Sequence, residues 1–302
     1  MNPKHISTLR LLYAAAFMAL VVLVAMPHTA KAQSSFSFAV QKEGHGPAMI
    51  LLPGLYSSGD VWKETVAHFK NRYTCYSITL PGFAGQPPLA SDTLLSAVAA
   101  QIVRFIQQNG LQKPIIVGHS LGGWLALKVA TLQPNILGGV VCVSSSPFLP
   151  GLAMGNDISL DSMRSVGLMI KHYMSISTPE QTRQSQLQQL PTMMRDSIHI
   201  AQVLDMAMHS DAPTQGEVMY ELFSTDLRPQ MHRITCPILA LGDWASYKSY
   251  GATRQNVMEK YQQQFAGAPR VTIALNDTSK HFIMYDEPVW MFAQIDTFLA
   301  AR

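Results

Sequence analysis

A serine framed by glycines constrains the fold of this chain more than any other feature. Residues Gly118–Gly122 read Gly-His-Ser-Leu-Gly and end a buried, strand-like run that starts at Lys113. An apolar segment of helical character, Leu121–Ala130, follows. A strand, a sharp turn at Ser120 and a helix would expose the serine hydroxyl at the edge of a sheet, where a base can reach it. The flanking glycines are explained if the turn brings backbone segments too close for a Cβ atom.

The first 32 residues have the pattern of a secretory signal peptide. Lys4 and Arg10 form a basic start, residues 11–26 are almost entirely apolar, and Ala30–Ala32 offers a small-x-small cleavage pattern. We expect cleavage before Gln33, export to the periplasm or the medium, and no stable membrane span after cleavage. An uncleaved anchor is the alternative, but the apolar stretch is short for a span of about 20 residues.

Removal of that segment balances the charge of the chain. The sequence carries 22 Lys and Arg against 19 Asp and Glu, and residues 1–32 hold three of the basic residues and no acidic one. The remaining 19 basic and 19 acidic side chains give no electrostatic reason to bind nucleic acid or an anionic membrane. Cys75, Cys142 and Cys236 lie in or beside apolar runs, so we expect buried thiols. No metal-site spacing occurs, and we predict no metal.

Short apolar strands alternate with helical segments along the rest of the chain. The predicted strands are residues 36–41, 48–52, 73–80, 113–120, 138–144, 237–242 and 270–275. This alternation predicts an α/β fold with a mostly parallel sheet flanked by helices, in one domain over residues 33–302. From about residue 150 to 233 helical, Met-rich sequence replaces the strands, and Thr178–Glu180 has the pattern of a helix start. We expect a core of residues 33–149 and 234–302 and a helical cap of about residues 150–233 over the site.

Five motifs together resemble the α/β-hydrolase superfamily of lipases and esterases. They are Leu51–Gly54, Leu80–Phe83, Gly118–Gly122, Thr235–Gly242, and Lys280–Phe282 ahead of Asp286–Pro288. The resemblance covers Phe36–Ser146 and Leu227–Leu299, and it implies the α/β-hydrolase fold with an inserted helical cap. It also implies that Ser120 is a nucleophile and that His281, in the loop after the last strand, is its base.

The acid behind that base is less well determined. Its role is to accept the far imidazole N–H, which fixes the tautomer of the histidine and stabilises the imidazolium. In similar hydrolases it stands three residues after a glycine, and counting from Gly242 gives Ala245. Asp243 is the only carboxylate of that loop and is our choice, with Asp277 as its rival and a degenerate or absent acid as the third possibility. Either aspartate could instead cap a turn or a helix.

Two backbone N–H groups are the expected donors to an oxyanion. One belongs to Leu121, directly after the serine, and the other to Leu55, after Pro53 and Gly54. Relatives often have histidine where this chain has Pro53, but a backbone donor does not depend on that side chain. Among the other histidines, we expect His119 to point away from Ser120, because neighbours on an extended path face opposite sides.

The resemblance implies an exported serine hydrolase that cleaves a small or medium apolar carboxylic ester through an acyl-enzyme, without a cofactor. Its partner would be a small-molecule, ester-type substrate. Relatives that act as dehalogenases or epoxide hydrolases have an aspartate at the position of Ser120, which argues against those activities. Lactonase, thioesterase, amidase and carbon–carbon bond hydrolase activities use the same residues and stay open. A non-catalytic binding protein of the same fold is the alternative from another class.

Overall fold

A seven-stranded sheet is the centre of the fold in a computed structural model, which describes residues 36–155 and 157–301. Its strands are β1 Ala39–Gly44, β2 Ala48–Leu52, β3 Thr74–Thr79, β4 Ile115–His119, β5 Gly139–Val143, β6 Ile238–Asp243 and β7 Val271–Asn276. They lie in the order β1-β3-β2-β4-β5-β6-β7. The pair β1 and β3 is antiparallel, and the other neighbouring pairs are parallel. The predicted signal peptide, residues 1–32, lies outside the described residues.

The inner strands are apolar because helices cover both faces of the sheet. All residues of β2, β4 and β5 are buried, as is usual for parallel strands. The edge strand β1 instead exposes Gln41–Gly44. The sequence prediction placed this strand at residues 36–41, whereas the structure has it three residues further along. It ends at Gly44, whose φ of +85° suits a glycine and turns the chain toward β2.

Eleven α-helices occur among the described residues. They are α1 Lys63–Phe69, α2 Leu94–Gln108, α3 Leu121–Leu132, α4 Leu149–Met154, α5 Leu160–Ile176, α6 Pro179–Met193, α7 Ser197–Met208, α8 Ala212–Ser224, α9 Arg254–Phe265, α10 Ile283–Asp286 and α11 Pro288–Ala300. Side chains of α2, α3 and α9 belong to the apolar cluster on one face of the sheet, and those of α1 and α11 to the cluster on the other. The predicted parallel sheet flanked by helices is therefore confirmed. No helix within the described residues has the length and apolar character needed to cross a membrane.

Helices α4–α8 form a single insertion between β5 and β6. The helix start predicted at Thr178 is confirmed, because α6 begins at Pro179 with Thr178 as its N-cap. The Thr178 hydroxyl accepts from the Gln181 N–H at 3.2 Å, and the Gln181 side chain accepts from the Thr178 N–H at 2.9 Å. This reciprocal capping box uses two N–H groups that would otherwise lack partners. Cys75, Cys142 and Cys236 are buried and form no disulfide, as predicted.

The parallel register brings the functional segments to one edge of the sheet. Leu52 of β2 pairs with Gly118 of β4, and Asp243 of β6 pairs with Asn276 of β7. The loops that carry Leu55, Ser120 and His281 therefore all leave from the carboxyl ends of strands. The strand order also reverses direction between β2 and β4, and ligands of open α/β sheets bind in the crevice at such a reversal.

Candidate active site

Ser120 occupies a strained turn between β4 and α3. Its φ of +49° and ψ of −115° lie in a region that side chains rarely adopt, at a cost of about 1–3 kcal/mol. Several hydrogen bonds hold this conformation. The Ser120 N–H donates to the Val143 carbonyl at 2.9 Å, and the Ser120 carbonyl accepts from the Ser145 hydroxyl at 2.6 Å. The backbone strain is therefore supported by the neighbouring strand β5.

The glycines of the motif permit the close approach of three backbone segments. A Cβ atom on Gly118 would overlap the carbonyl of Gly122, and one on Gly122 would overlap the carbonyl of Leu52. Gly123 fits against Ser145 in the same way. The tight backbone contacts predicted for this turn are thus present, and they explain why small residues stand on both sides of Ser120.

A cavity of about 480 Å³ lies between Ser120 and the helical insertion. Ser120 and His281 both line it, together with Leu55, Leu121 and side chains from all five inserted helices. Among the described residues, those that line this cavity include no Asp, Glu, Lys or Arg. From the Met-rich insertion, Met154, Met174, Met193 and Met219 contribute to the cavity wall. Others pack elsewhere: Met163 and Met194 are buried, and Met169 is exposed.

His281 lies in the loop between β7 and α10, where hydrogen bonds fix the main chain. The Ser279 N–H donates to the Asn276 side chain at 2.6 Å, and the Lys280 N–H donates to the Asp286 carboxylate at 2.8 Å. Burial lowers the pKa of His281 below its usual value, and the negative charge of Asp243 opposes this shift. The imidazole is therefore neutral at neutral pH, which is the protonation state that a general base requires.

Asp243 ends β6 with a side chain that is only 1% exposed. Its charge acts on His281. Burial raises the pKa of the phenols of Tyr247 and Tyr261, and the charge of Asp243 raises it further. Both carboxylate oxygens lack a hydrogen-bond partner among the described residues. A buried carboxylate without partners is costly, so its position beside a histidine points to a functional role. The structure thus brings Asp243 into the electrostatic environment of His281 without a direct hydrogen bond between them.

Asp277, the rival acid, lies on the surface with its side chain 63% exposed. Its carboxylate accepts from the Arg254 guanidinium at 2.6 Å and from the Trp244 indole at 3.0 Å. These hydrogen bonds lower the pKa of Asp277. The Asp277 side chain is therefore engaged in a local surface cluster, whereas Asp243 is buried and its charge acts on His281.

The backbone N–H groups of Leu55 and Leu121 are available at the cavity wall. Both residues line the cavity, and neither N–H donates to a carbonyl or side chain in the part of the chain that the structure describes. An unengaged N–H pair beside a candidate nucleophile is the arrangement that stabilises an oxyanion. Leu121 is the first residue of α3, so the positive end of the helix dipole adds to this effect.

Two residues at the site were not anticipated as participants. The prediction that His119 points away is wrong, because its imidazole lines the same cavity and packs against His281 with ring centroids 4.7 Å apart. Tyr56 also lines the cavity, has a φ of +66°, and forms a side-chain hydrogen bond with Gln186 of α6. Both residues directly adjoin predicted site residues in the sequence, and that adjacency was the one available signal.

No group of three or more His, Cys, Asp or Glu side chains within residues 36–155 and 157–301 is arranged to hold a metal ion. A hydroxyl nucleophile, a neutral imidazole and two free N–H groups around one cavity are suited to acyl transfer.

Comparison with known proteins gives matches in sequence and in structure. A family model described as the alpha/beta hydrolase family matches residues 49–294. A pimeloyl-(acyl-carrier protein) methyl ester esterase of Aeromonas salmonicida is 36% identical over 113 residues, which span 37% of this chain and 42% of that protein. The matched part is thus less than half of that relative.

Two solved structures share the architecture over most of the chain. MenH from S. aureus superposes with a TM-score of 0.71 at 17% identity, over 87% of this chain and 98% of that one. A thermophilic esterase from Thermogutta terrifontis superposes with a TM-score of 0.70 at 15% identity, over 87% and 93%. At these identities the likeness concerns the fold alone.

Proposed function

Because the chain belongs to the alpha/beta hydrolase family, we propose that it is a serine hydrolase that cleaves an uncharged carboxylic ester through an acyl-enzyme. The observation that carries the proposal is the strained Ser120, which shares one cavity with the neutral His281 and two unengaged backbone N–H groups. The esterase activity in the name of the Aeromonas relative supports the same reaction class.

In the proposed first step, the Ser120 hydroxyl oxygen attacks the ester carbonyl carbon, and His281 accepts the hydroxyl proton. The carbonyl oxygen gains the negative charge, and the N–H groups of Leu55 and Leu121 stabilise it by hydrogen bonds. Collapse of the tetrahedral intermediate breaks the bond to the alkoxy oxygen, which leaves as the alcohol with the proton from His281. Water then repeats the sequence on the acyl-enzyme and releases the acid.

Asp243 has an electrostatic role in this scheme. Its buried negative charge stabilises the imidazolium that forms on His281 when the proton is transferred. The 1% exposure of its side chain supports this role, because a charge shielded from water acts strongly on a neighbouring group. The exposed and ion-paired Asp277 is not assigned a part in the reaction.

The cavity is suited to bind an apolar acyl group of the substrate. Its volume of about 480 Å³ and its lining of Leu, Met and aromatic side chains suit a small or medium chain. The absence of charged side chains among the described lining residues means that a carboxylate or ammonium on the acyl chain would lose its hydration without a partner. We propose that helices α4–α8 act as the cap that encloses this acyl group.

A labelling and turnover experiment tests the proposal. The protein without residues 1–32 and its Ser120→Ala variant are exposed to a fluorophosphonate probe and then to p-nitrophenyl esters of increasing chain length. We expect labelling and turnover only in the protein that retains Ser120. We also expect a neutral ester to be hydrolysed at least tenfold more efficiently than one of equal length that ends in a carboxylate. Equal labelling of both proteins would contradict the proposed nucleophile.

We also propose that residues 1–32 direct the chain to export, on the basis of their basic start, apolar stretch and cleavage pattern. Expression of the full chain in a bacterium, followed by N-terminal sequencing of the product outside the cytoplasm, tests this. A product that begins at Gln33 is expected. A product that keeps Met1 and stays in the membrane fraction would favour the uncleaved anchor.

A further inference from the structure

His119, the residue before Ser120, connects the turn at Ser120 to the loop that carries His281. Its side chain is 1% exposed at the end of β4. Its ring packs against His281 and against Phe282, with centroid distances of 4.7 and 4.5 Å. Its Nε2 atom lies 3.1 Å from the main-chain carbonyl oxygen of His281. Because a carbonyl oxygen can only accept, the proton of the imidazole must be on Nε2.

The Nε2 hydrogen bond leaves the other ring nitrogen of His119, Nδ1, as an acceptor without a donor. Burial and the adjacent His281 hold the pKa of His119 well below its usual value, so the ring is neutral and Nδ1 carries no proton. Nδ1 is buried and lacks a hydrogen-bond partner among the described residues. A phenylalanine ring would fill this space without an unpaired Nδ1, but it would leave the His281 carbonyl without its donor. The Nε2 donor is therefore the property that distinguishes histidine from phenylalanine here.

The edge of the ring that carries Nδ1 also supports the loop of the oxyanion donor. A Cβ atom on Gly54 would lie 2.7 Å from Nδ1 of His119 and 3.4 Å from Cβ of Ser120. Gly54 thus packs directly on the His119 ring, and Leu55 is the next residue. The His119 side chain therefore contacts two loops, the one that carries His281 and the one that carries Leu55.

The main chain on either side of His281 is held by other groups. The Lys280 N–H donates to Asp286 at 2.8 Å, and the Phe282 N–H donates to the Met193 carbonyl at 3.1 Å. The carbonyl of His281 itself is held by His119. Loss of the Nε2 donor would release the peptide that carries the base, while the flanking peptides stay fixed.

We propose that His119 is a positioning residue, which orients the imidazole of His281 toward Ser120 through its hydrogen bond to the His281 carbonyl and its ring contact. This inference rests on the proposed function, because it assigns His119 a role in placing the base of that reaction. It predicts a loss in the rate of the chemical step rather than in substrate binding, because the cavity wall keeps its other side chains.

Three substitutions separate a positioning role from a packing role. His119→Phe keeps a ring but removes the donor, His119→Asn places its amide near the position of Nδ1, and His119→Gln places its amide near Nε2. We expect kcat for a p-nitrophenyl ester to fall about 100-fold in the Phe and Asn variants, with KM within threefold of wild type. We expect His119→Gln to recover at least a tenth of the wild-type kcat. His119→Phe removes the unpaired Nδ1 but also the donor to the His281 carbonyl, so its melting temperature should stay within about 4 °C of the wild type.

The proposal is overturned if the Phe and Asn variants keep wild-type kcat, or if all three variants lose kcat in proportion to a fall in melting temperature. A measurement on the unsubstituted protein covers the case in which the variants do not fold. Long-range ¹H–¹⁵N spectra should show His119 with a proton on Nε2 and none on Nδ1, and the opposite tautomer would also overturn the proposal. Ester turnover that is retained in Ser120→Ala would reject the proposed function instead, so the two failures are distinguishable.

Discussion

The buried carboxylate of Asp243 is best explained by its effect on the neighbouring imidazole of His281. Its carboxylate is buried and lacks hydrogen-bond partners among the described residues, and its charge reaches His281. We expect Asp243→Asn to lower kcat by about 10³- to 10⁴-fold, because an amide cannot stabilise the imidazolium. The matched control is Asp277→Asn, which should stay within threefold of wild type. Steady-state kinetics with one ester checks both, and a large loss in Asp277→Asn alone would reverse the assignment.

The sequence predicted individual site residues where a fixed local geometry ties them to a motif. Ser120 could be located because glycines at fixed spacing accompany a sharp turn, and the structure shows the close backbone contacts that require them. Asp243 could be chosen only by elimination. His119 was misjudged because strict alternation along a strand was applied to its last residue, where the chain already turns into the positive φ of Ser120.

At the scale of elements, a buried acid joins the insertion to the core. Glu221 of α8 accepts a hydrogen bond from the Leu95 N–H at 2.9 Å, in the first turn of α2. Thr93, the N-cap residue of α2, forms no side-chain capping bond. Glu221 therefore supplies a partner for a free N–H group at that helix end. Burial raises the pKa of Glu221 to about 7, because the charged form is poorly solvated there.

We expect Glu221→Gln to stabilise the protein at alkaline pH. A carboxyl whose pKa is raised on folding contributes stability below its ordinary pKa of about 4.5, and that contribution is lost as pH rises through about 7. Glutamine keeps an oxygen acceptor and has no charge, so the melting temperature should rise by about 2–4 °C at pH 8 and change little at pH 5. Glu217→Gln is the control on the same helix. It breaks an ion pair with Lys171 and removes a charge that adds less than burial to the raised pKa of Glu221, so it should stabilise the protein at pH 8 by less than Glu221→Gln does.

Elements with strong local signals were predicted well, and those defined by tertiary packing were not. The apolar runs of β2 and β4 and the Thr178 cap of α6 carry their own signals, and each was located from the sequence. The antiparallel pairing of β1 was not anticipated, because that direction depends on contacts with the distant β3. The other helices of the insertion were not delimited, although Ser159, Asp196 and Asp211 cap three of them by side-chain hydrogen bonds.

At the scale of the whole molecule, the stability of the fold depends on pH in two opposite ways. The buried histidines cause one dependence and the buried Glu221 causes the other. His119 and His281 have pKa values below the ordinary 6.5, so their contribution is present above pH 6.5 and is lost as pH falls through their folded values. Glu221 acts in the other direction, because its contribution is lost as pH rises. The melting temperature should therefore be highest near neutral pH.

The acidic side of that profile is specifically testable. Between pH 7 and pH 5.5 we expect the melting temperature of the wild type to fall. In this range the histidines bind protons in the unfolded chain but remain neutral when they are buried in the folded protein. The fall should be smaller in His119→Phe, which has one buried imidazole fewer. His232→Gln, at an exposed position, should keep the wild-type profile. Differential scanning calorimetry across this range checks the prediction, and identical slopes for wild type and His119→Phe would contradict it.

The end of α6 is fastened to the loop of the base. Phe282 donates its N–H to the Met193 carbonyl at 3.1 Å, and the Lys280 ammonium donates to the Pro191 carbonyl at 2.5 Å. Tyr173 of α5, by contrast, lines the cavity and is 59% exposed. For protein engineering this divides the insertion into two regions. Substitutions in α5 should change which molecules enter and leave the cavity. Substitutions at the end of α6 should also disturb the loop that carries His281.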